Sequence, residues 1–489
     1  MVCLLVLAPL TLGAAGSRGQ TALLCLVAAM LGATAWRWFS GVDGFRWTWA
    51  YVPIALVLVW NLVQIVPLPA DVVRAISPAR LDWHGGTPHG WLTLSVDPSA
   101  TAGHLRLAIA VASVLVVVVN VWHTNSQIRR LLGMVAAVGA AASVLTLVQV
   151  ICGTHGFSRI LDADQAPTIG GLFLAAGRNS QFIAASTAAA GALALVELAE
   201  LAPPVSSSPA QWMERLTSRD SLRWWLLVAA VALGLGNAFI TFSRLAGLAL
   251  LAAAGVTAAV GIIGRAVRHG SGVGTAVMAM GSILTVFYVG FGAVHRNCSI
   301  LIDAQPPCQL SVANLAHSSR FALTGTGLGT GEDSNLSTAS LDSLYSLAVR
   351  EGGLTTLVPL ALLAAIVSAA CLKALRHRQQ MHRLAALSLG GGLLGLATMN
   401  LADASARLPA NAVLIAVFSG LLLNLAGPTQ GRRQPARKSQ RLAPAMAMAA
   451  LAPLWAWSLS TAMATLPLGD TAQTAMGLLQ NLLAGTIHF

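Results

Sequence analysis

"AAGRNSQFIAASTAAAGALALVELAE" runs from Ala175 to Glu200. It opens on a polar island, Arg178 to Gln181, and continues as Ala, Ile, Leu, Val and Phe. The apolar part approaches the roughly 20 residues that an α-helix needs to cross a bilayer. A polar island at one end of such a run is the pattern of a membrane-spanning helix whose charged groups wait at the interface. The pattern recurs in "FITFSRLAGLALL", Phe239 to Leu251, where Arg244 sits between two apolar runs.

Composition extends that reading to the whole chain. Of 489 residues, 56% are hydrophobic and 9% charged, against roughly 25% charged in a soluble domain. So little polar surface cannot cover a water-soluble body. The apolar runs are continuous rather than alternating, which excludes a β-barrel. The expected fold class is an all-α polytopic membrane protein with about 12–13 transmembrane helices. The spans centre near Ala8, Ala29, Val57, Leu115, Gly139, Ala190, Ala232, Ala253, Met280, Leu363, Leu394, Val417 and Ala452. The first run is short, and it lacks the basic segment that precedes a cleaved signal peptide.

Four regions follow from these breaks. Residues 1–293 hold the first nine spans and an outer loop at about 67–100. Residues 294–343 form a large periplasmic loop between the ninth and tenth spans. Residues 344–465 hold the remaining spans and a basic cytoplasmic loop at 428–442. Residues 466–489 form a tail in which Ala475, Met476, Leu479, Leu482 and Leu483 recur at helical spacing, the mark of an amphipathic helix.

Orientation follows from the cations. If "LKALRHRQQMHR" and "GRRQPARKSQR" are cytoplasmic, most of the 29 Lys and Arg residues fall on that side and most of the 17 Asp and Glu on the other. The sequence pI near 10.6 is then a topology signal, and no nucleic-acid partner is needed to explain it. "WRW" at Trp36 to Trp38 and "WTW" at Trp47 to Trp49 fit an aromatic belt at the inner interface. Cys298 and Cys308 share the large outer loop, where an oxidising periplasm would let them pair. The spacing of Cys, His and acids offers no metal motif, no Walker loop and no dinucleotide fingerprint, so no metal or cofactor is expected.

Arg178 and Arg244 both fall at outer ends of spans. An arginine there can simply snorkel to the headgroups. Alternatively, two guanidinium groups facing one cavity would grip an anion bidentately, with Asn179 adding a neutral donor.

Five stretches, in order, resemble the O-antigen ligase and polymerase superfamily of bacterial envelopes: "VQIVPLPADVVRAISP" (Val63–Pro78), "GRNSQFIA" (Gly177–Ala184), "ITFSRLAGLALL" (Ile240–Leu251), "TGTGLGTGEDSNLSTASLDSLYSLAVREGG" (Thr324–Gly353) and "NLADASARLPANAVLIAVFSGLL" (Asn400–Leu422). The resemblance implies a membrane C-type glycosyltransferase of the bacterial inner membrane that needs no metal ion. Such an enzyme moves a glycan from undecaprenyl pyrophosphate in the outer leaflet to an acceptor hydroxyl. Carried over, Arg178, Arg244, Asn179 and Arg320 would hold the pyrophosphate. Ser180 stands where the family often has His, and Asp342-Ser343 stands where ligases have His-Asn. This favours a repeat-unit polymerase acting on another lipid-linked glycan over a ligase acting on lipid A core. A protein O-oligosaccharyltransferase and a lipid-glycan flippase are the further alternatives. Asp342 is the candidate base if burial raises its pKa, and it equally suits a helix N-cap. His317 is the rival base. Glu351 is expected to pair Arg350 or Arg320, and Asp403 to pair Arg407 one helical turn away.

The orientation predicts that a reporter fused after Arg441 is cytoplasmic and one fused within residues 304–340 is periplasmic. Both landing on one side would dispose of the span assignment.

Overall fold

The structure, a computed structural model, describes residues 1–10, 17–41, 44–83, 90–152, 176–201, 209–240, 321, 323–330, 344–400, 405–427 and 455. Most of these are helical. The helices are α1 (Val2–Leu10), α2 (Ser17–Phe39), α3 (Tyr51–Ile65), α4 (Ala70–Ile76), α5 (Pro78–Trp83), α6 (Pro98–Val121), α7 (Asn125–Cys152), α8 (Ala176–Leu201), α9 (Pro209–Thr217), α10 (Leu222–Ile240), α11 (Leu344–Leu375), α12 (Gln380–Met399) and α13 (Pro409–Leu425). Among the described residues, five segments are long and apolar enough to cross a membrane: Gly19–Phe39, Pro98–Val121, Asn125–Val148, Gln181–Leu201 and Leu347–Leu375. Tyr51–Ile65, Leu222–Asn237 and Pro409–Leu425 are shorter apolar helices. The protein is thus an all-α membrane protein. α1 covers 9 described residues, and residues 11–16 that follow it lie outside the described residues. The expected spans near Ala253, Met280 and Ala452, the basic loop 428–442 and the tail 466–489 lie outside the described residues.

Apolar surface gains nothing by leaving lipid, so close packing and interhelical hydrogen bonds must hold such a bundle together. α8 supplies both. Its Ala185, Ala189 and Ala192 are buried, and its small polar residues allow backbones to approach. Ser186 faces Gly139 of α7 and Thr187 faces Gly234 of α10, each so closely that a Cβ on the glycine would overlap the hydroxyl. On a third side Ser388 of α12 donates to Ala188 O at 2.7 Å. A second layer, α6 against α13, is joined where Asn424 Nδ2 donates to Val118 O at 3.0 Å and to Trp122 O at 2.8 Å.

These bonds define two ends of the bundle. At one end, His382 of α12 bridges Leu425 O at 3.1 Å and Asn125 Oδ1 at 2.9 Å. Arg129 pairs with Glu200 there, with Nη1 3.0 Å from Oε2. Arg37, Arg130, Arg215, Arg223, Lys373, Arg376 and Arg383 belong to helix ends or turns at this same basic end. The aromatic residues near it divide: Trp36, Trp47 and Trp49 are exposed, while Trp38 is buried edge-on to Phe45.

The opposite end carries the first expected outer loop, which is folded. β1 (Leu68–Pro69) pairs antiparallel with β2 (Trp91–Leu92), placing Leu68 opposite Leu92 and Pro69 opposite Trp91. α4 and α5 fill the interval between them, and Val73, Leu81 and Leu94 are buried beneath. α6 then starts at a built cap. Asp97 Oδ1 accepts from Ser99 N at 2.9 Å and Ala100 N at 3.1 Å, and Pro98 takes the first helical position. The Ser99 hydroxyl, 2.7 Å from the same oxygen, is the main reason the Asp97 carboxyl lies below its ordinary value of 3.8; the Ala100 N–H adds to it.

A depressed folded pKa means that the Asp97 cap stabilises above the unfolded value and is lost as pH falls through the folded one. Asp97→Ala should therefore cost about 1 kcal/mol at pH 7, and its deficit in melting temperature should vanish as the medium is acidified below the ordinary carboxylate range. A deficit that persists undiminished in acid would show that the carboxylate is not the capping group.

Candidate active site

The site is built where the helices end opposite the basic turns. α8 begins at Ala176, so the backbones of Arg178 and Asn179 lie in its first turn. Their side chains are outside the described residues. Gln181, the last position of the polar island, is 1% exposed. Its Nε2 donates to Asn400 Oδ1 at 3.2 Å, and the same oxygen accepts Ala406 N at 3.2 Å. The backbone N–H can only donate, so it fixes the Asn400 amide orientation, which in turn requires Gln181 to present its nitrogen. Gln181 Oε1 is left buried and has no partner among the described residues. Asn400 also holds its neighbours: its Nδ2 donates to Leu396 O at 2.7 Å, and its carbonyl accepts Leu344 N at 3.0 Å. One asparagine thus ties the start of α8, the end of α12, the start of α11 and the 3₁₀ turn Ser405–Arg407.

Glu351 lies two turns into α11 and is 2% exposed. Arg407 Nη2 straddles its carboxylate, 3.1 Å from Oε1 and 2.9 Å from Oε2. The expected partners were Arg350 or Arg320 for Glu351 and Asp403 for Arg407. The ion pair that the structure describes joins α11 to the turn before α13. Arg407 belongs to a 3₁₀ turn, in which residues four apart do not stack as they would in an α-helix. Asp403 itself lies outside the described residues.

Directly after Glu351 the helix breaks. Gly353 adopts φ 62° and ψ −172°, so α11 is two helical stretches joined at a kink. The break admits the glycine loop Thr324–Thr330. A Cβ on Gly353 would stand 2.5 Å from Leu323 O and 2.6 Å from Gly325 N. Gly325 has φ 72°. Thr326 N donates to Arg350 O at 3.0 Å and Gly327 N to Glu351 O at 2.9 Å. The loop is held as firmly from the other side. Gln64 Nε2 donates to Thr324 O at 2.6 Å, Val96 N donates to Thr326 O at 2.8 Å, and Thr324 Oγ1 donates to Ser77 Oγ at 3.2 Å. The Gly-x-Gly pattern is therefore a crossing of backbones between the first outer loop and the kinked helix.

Four of the five resembling segments meet here, through Gln64 and Ser77, Gln181, Thr324 to Glu351, and Asn400 to Arg407. Arg244, Arg320, His317, Asp342, Cys298 and Cys308 lie outside the described residues. Gln181 and Asn400 were missed as site residues, although both stand inside quoted motifs. An amide in an apolar run was the available signal, since a buried amide must find partners. Arg80 was missed as well. It is a buried cation at this end, 3% exposed, with Nε donating to Thr93 O at 3.2 Å.

No protein-family model and no curated protein matches the chain.

Chemically, this end offers a fixed polar floor in an apolar bundle. Glu351 is committed to Arg407 and so is poorly placed to take a proton. The pair is structural first. Glu351→Ala should destabilise the protein by about 3 kcal/mol, because it removes the carboxylate from a largely desolvated guanidinium, while the double Glu351→Met, Arg407→Met variant should lose less. Thermal unfolding of the single and double variants measures this coupling. Additive losses would mean that the two side chains do not support each other.

Proposed function

We propose that this protein is an integral-membrane glycosyltransferase that moves a glycan from undecaprenyl pyrophosphate to an acceptor hydroxyl on the periplasmic face of a bacterial inner membrane, most readily as a repeat-unit polymerase. The observation that carries the reading is the convergence of the resembling segments at the end opposite the basic turns. Segments far apart in sequence share Asn400, the Glu351–Arg407 pair and the glycine crossing. Segments alike only by chance have no reason to assemble at one end of a bundle.

The reaction would proceed as follows. The acceptor oxygen attacks the anomeric carbon and its proton passes to a base, Asp342 or His317. The bond from that carbon to the pyrophosphate oxygen breaks, and the carrier leaves with the negative charge. Arg178 and Arg244, with Asn179 and Arg320, would receive that charge. Fixed cations in a water-poor site stabilise such a leaving group most as its charge develops.

A flippase would need charge along a path through the membrane. The described ion pair Glu351–Arg407 instead sits at one end, which supports chemistry on one face. Between polymerase and ligase, the departures at Ser180 and Asp342-Ser343 favour the polymerase. A deletion strain decides between them: one repeat unit left on the lipid A core fits a polymerase, whereas long glycan retained on the carrier fits a ligase.

The decisive variants are conservative. Lysine snorkels as well as arginine but lacks the planar fork. Arg178→Lys and Arg244→Lys should each slow transfer by roughly 10²–10³-fold, as expected for loss of one donor to a developing oxyanion. Expression should be unchanged, and EDTA should have no effect. Turnover of lipid-linked oligosaccharide by purified protein in lipid measures it; full activity in both variants would leave the arginines as membrane anchors only.

A further inference from the structure

Two described arginines at the glycine-loop end, the buried Arg80 and the partly buried Arg407, are treated differently by the chain. Arg407 has Glu351 as its counter-ion. Arg80, at 3% exposure, has none among the described residues. Its Nε is tethered to Thr93 O, while its Nη1 is buried without an acceptor. Of the acids in this folded loop, Asp71 faces Arg74 and Asp97 caps α6, and the side chain of Asp82 lies outside the described residues. Desolvation lowers the Arg80 pKa, yet guanidinium remains charged at any physiological pH. A buried cation without a counter-ion is costly, and an apolar side chain of similar length would avoid that cost.

The position of Arg80 is also specific. It follows Ser77, whose carbonyl accepts Arg80 N at 3.0 Å and whose hydroxyl accepts from Thr324 of the glycine loop. Thr93, its tether, donates through Oγ1 to Ser95 O at 2.9 Å, and Ser95 Oγ lies 2.7 Å from Thr101 Oγ1 at the start of α6. Arg80 therefore flanks the glycine loop on the side of the first outer loop, whereas Glu351 and Arg407 flank it on the side of α11. The stem is held at Nε, and Nη1 is uncommitted.

We propose that Arg80 binds a phosphate oxyanion of the substrate, beside the glycine loop and across it from the Glu351–Arg407 pair. The anion supplies the counter-charge that the chain omits. Naming its source as the pyrophosphate of a lipid-linked glycan rests on the glycosyltransferase reading above; the oxyanion site itself does not.

The test uses the full chain in lipid nanodiscs, with thermal unfolding and direct binding as readouts. The probes are farnesyl pyrophosphate, inorganic pyrophosphate, farnesol and glucuronate. Wild type should be stabilised by farnesyl pyrophosphate but not by farnesol. A response to inorganic pyrophosphate as well identifies a general phosphate site, whereas a response to the lipid form alone identifies a headgroup site; both support the proposal. Arg80→Met should keep or raise the unliganded melting temperature and should weaken pyrophosphate binding at least 10-fold. If Arg80→Met does not fold, Arg80→Lys is read instead, and the same 10-fold weakening is expected because lysine lacks the fork. Unaltered binding in the readable variant overturns the proposal. So does a wild-type protein that answers to glucuronate but to neither pyrophosphate. Transfer activity is assayed separately: pyrophosphate binding through Arg80 without any glycan transfer would sink the glycosyltransferase reading and leave the oxyanion site standing.

Discussion

Gly353 and Gly325 cross with no side chain between them, and the candidate site depends on that crossing. It lets Gly327 and Thr326 reach the carbonyls that α11 releases where it breaks. A helix broken inside a bundle frees backbone groups, and in a water-poor setting each must be satisfied again. The glycine loop does so with its own N–H groups. The positive φ of both glycines is therefore not a local quirk but the means by which two distant segments exchange hydrogen bonds. An alanine at Gly353 would meet Leu323 O and Gly325 N together, both of them backbone atoms that have nowhere to turn.

Below this crossing the bundle follows a different rule. Around α8, contact is made by Ala, Ser, Thr and Gly, with hydroxyls returning bonds to carbonyls: Thr187 Oγ1 donates to Ile183 O at 2.7 Å and Ser186 Oγ to Ile183 O at 2.9 Å. Small residues let helices approach closely, and dispersion over the shared surface replaces the hydrophobic drive that lipid removes. Longer polar side chains work at the two ends: His382 and the Arg129–Glu200 pair at the basic end, and Gln181, Asn400, Glu351 and Arg407 at the other. There each bond is made in a low dielectric and is worth more than it would be at a wet surface.

What the sequence made legible divides along the same line. The spans at α6, α7, α8 and α11 were readable because length and apolarity are properties of a single run. The glycine loop was readable as a motif, but its purpose was not, since the crossing partner lies at Gly353 and only the fold brings them together. The bond from Arg407 to Glu351, 56 positions apart, is one that no spacing within a single helix announces. Periodicity proposes neighbours within one helix and is silent about neighbours across a bundle. The folded first loop failed for another reason: β1 and β2 have two residues each, too few to show alternation.

The anchors on either side of residues 331–343 constrain what that segment can do. It leaves the glycine loop at Thr330, whose hydroxyl donates to Gly327 O at 2.8 Å and lies 2.7 Å from Thr326 Oγ1. It rejoins described structure at Leu344, whose N–H is held by Asn400 O at 3.0 Å. Both ends are pinned to the network that also fixes Gln181 and Glu351. Asp342 precedes Leu344 by two residues, so whatever role it takes is exercised within about 7 Å of backbone from a fixed point. The same anchoring separates duties among the carboxylates. Glu351 is consumed in holding Arg407, and through it the turn before α13. A base must be free to gain and lose a proton without unfastening the scaffold, and Glu351, bonded through both carboxylate oxygens to Arg407, does not meet that requirement.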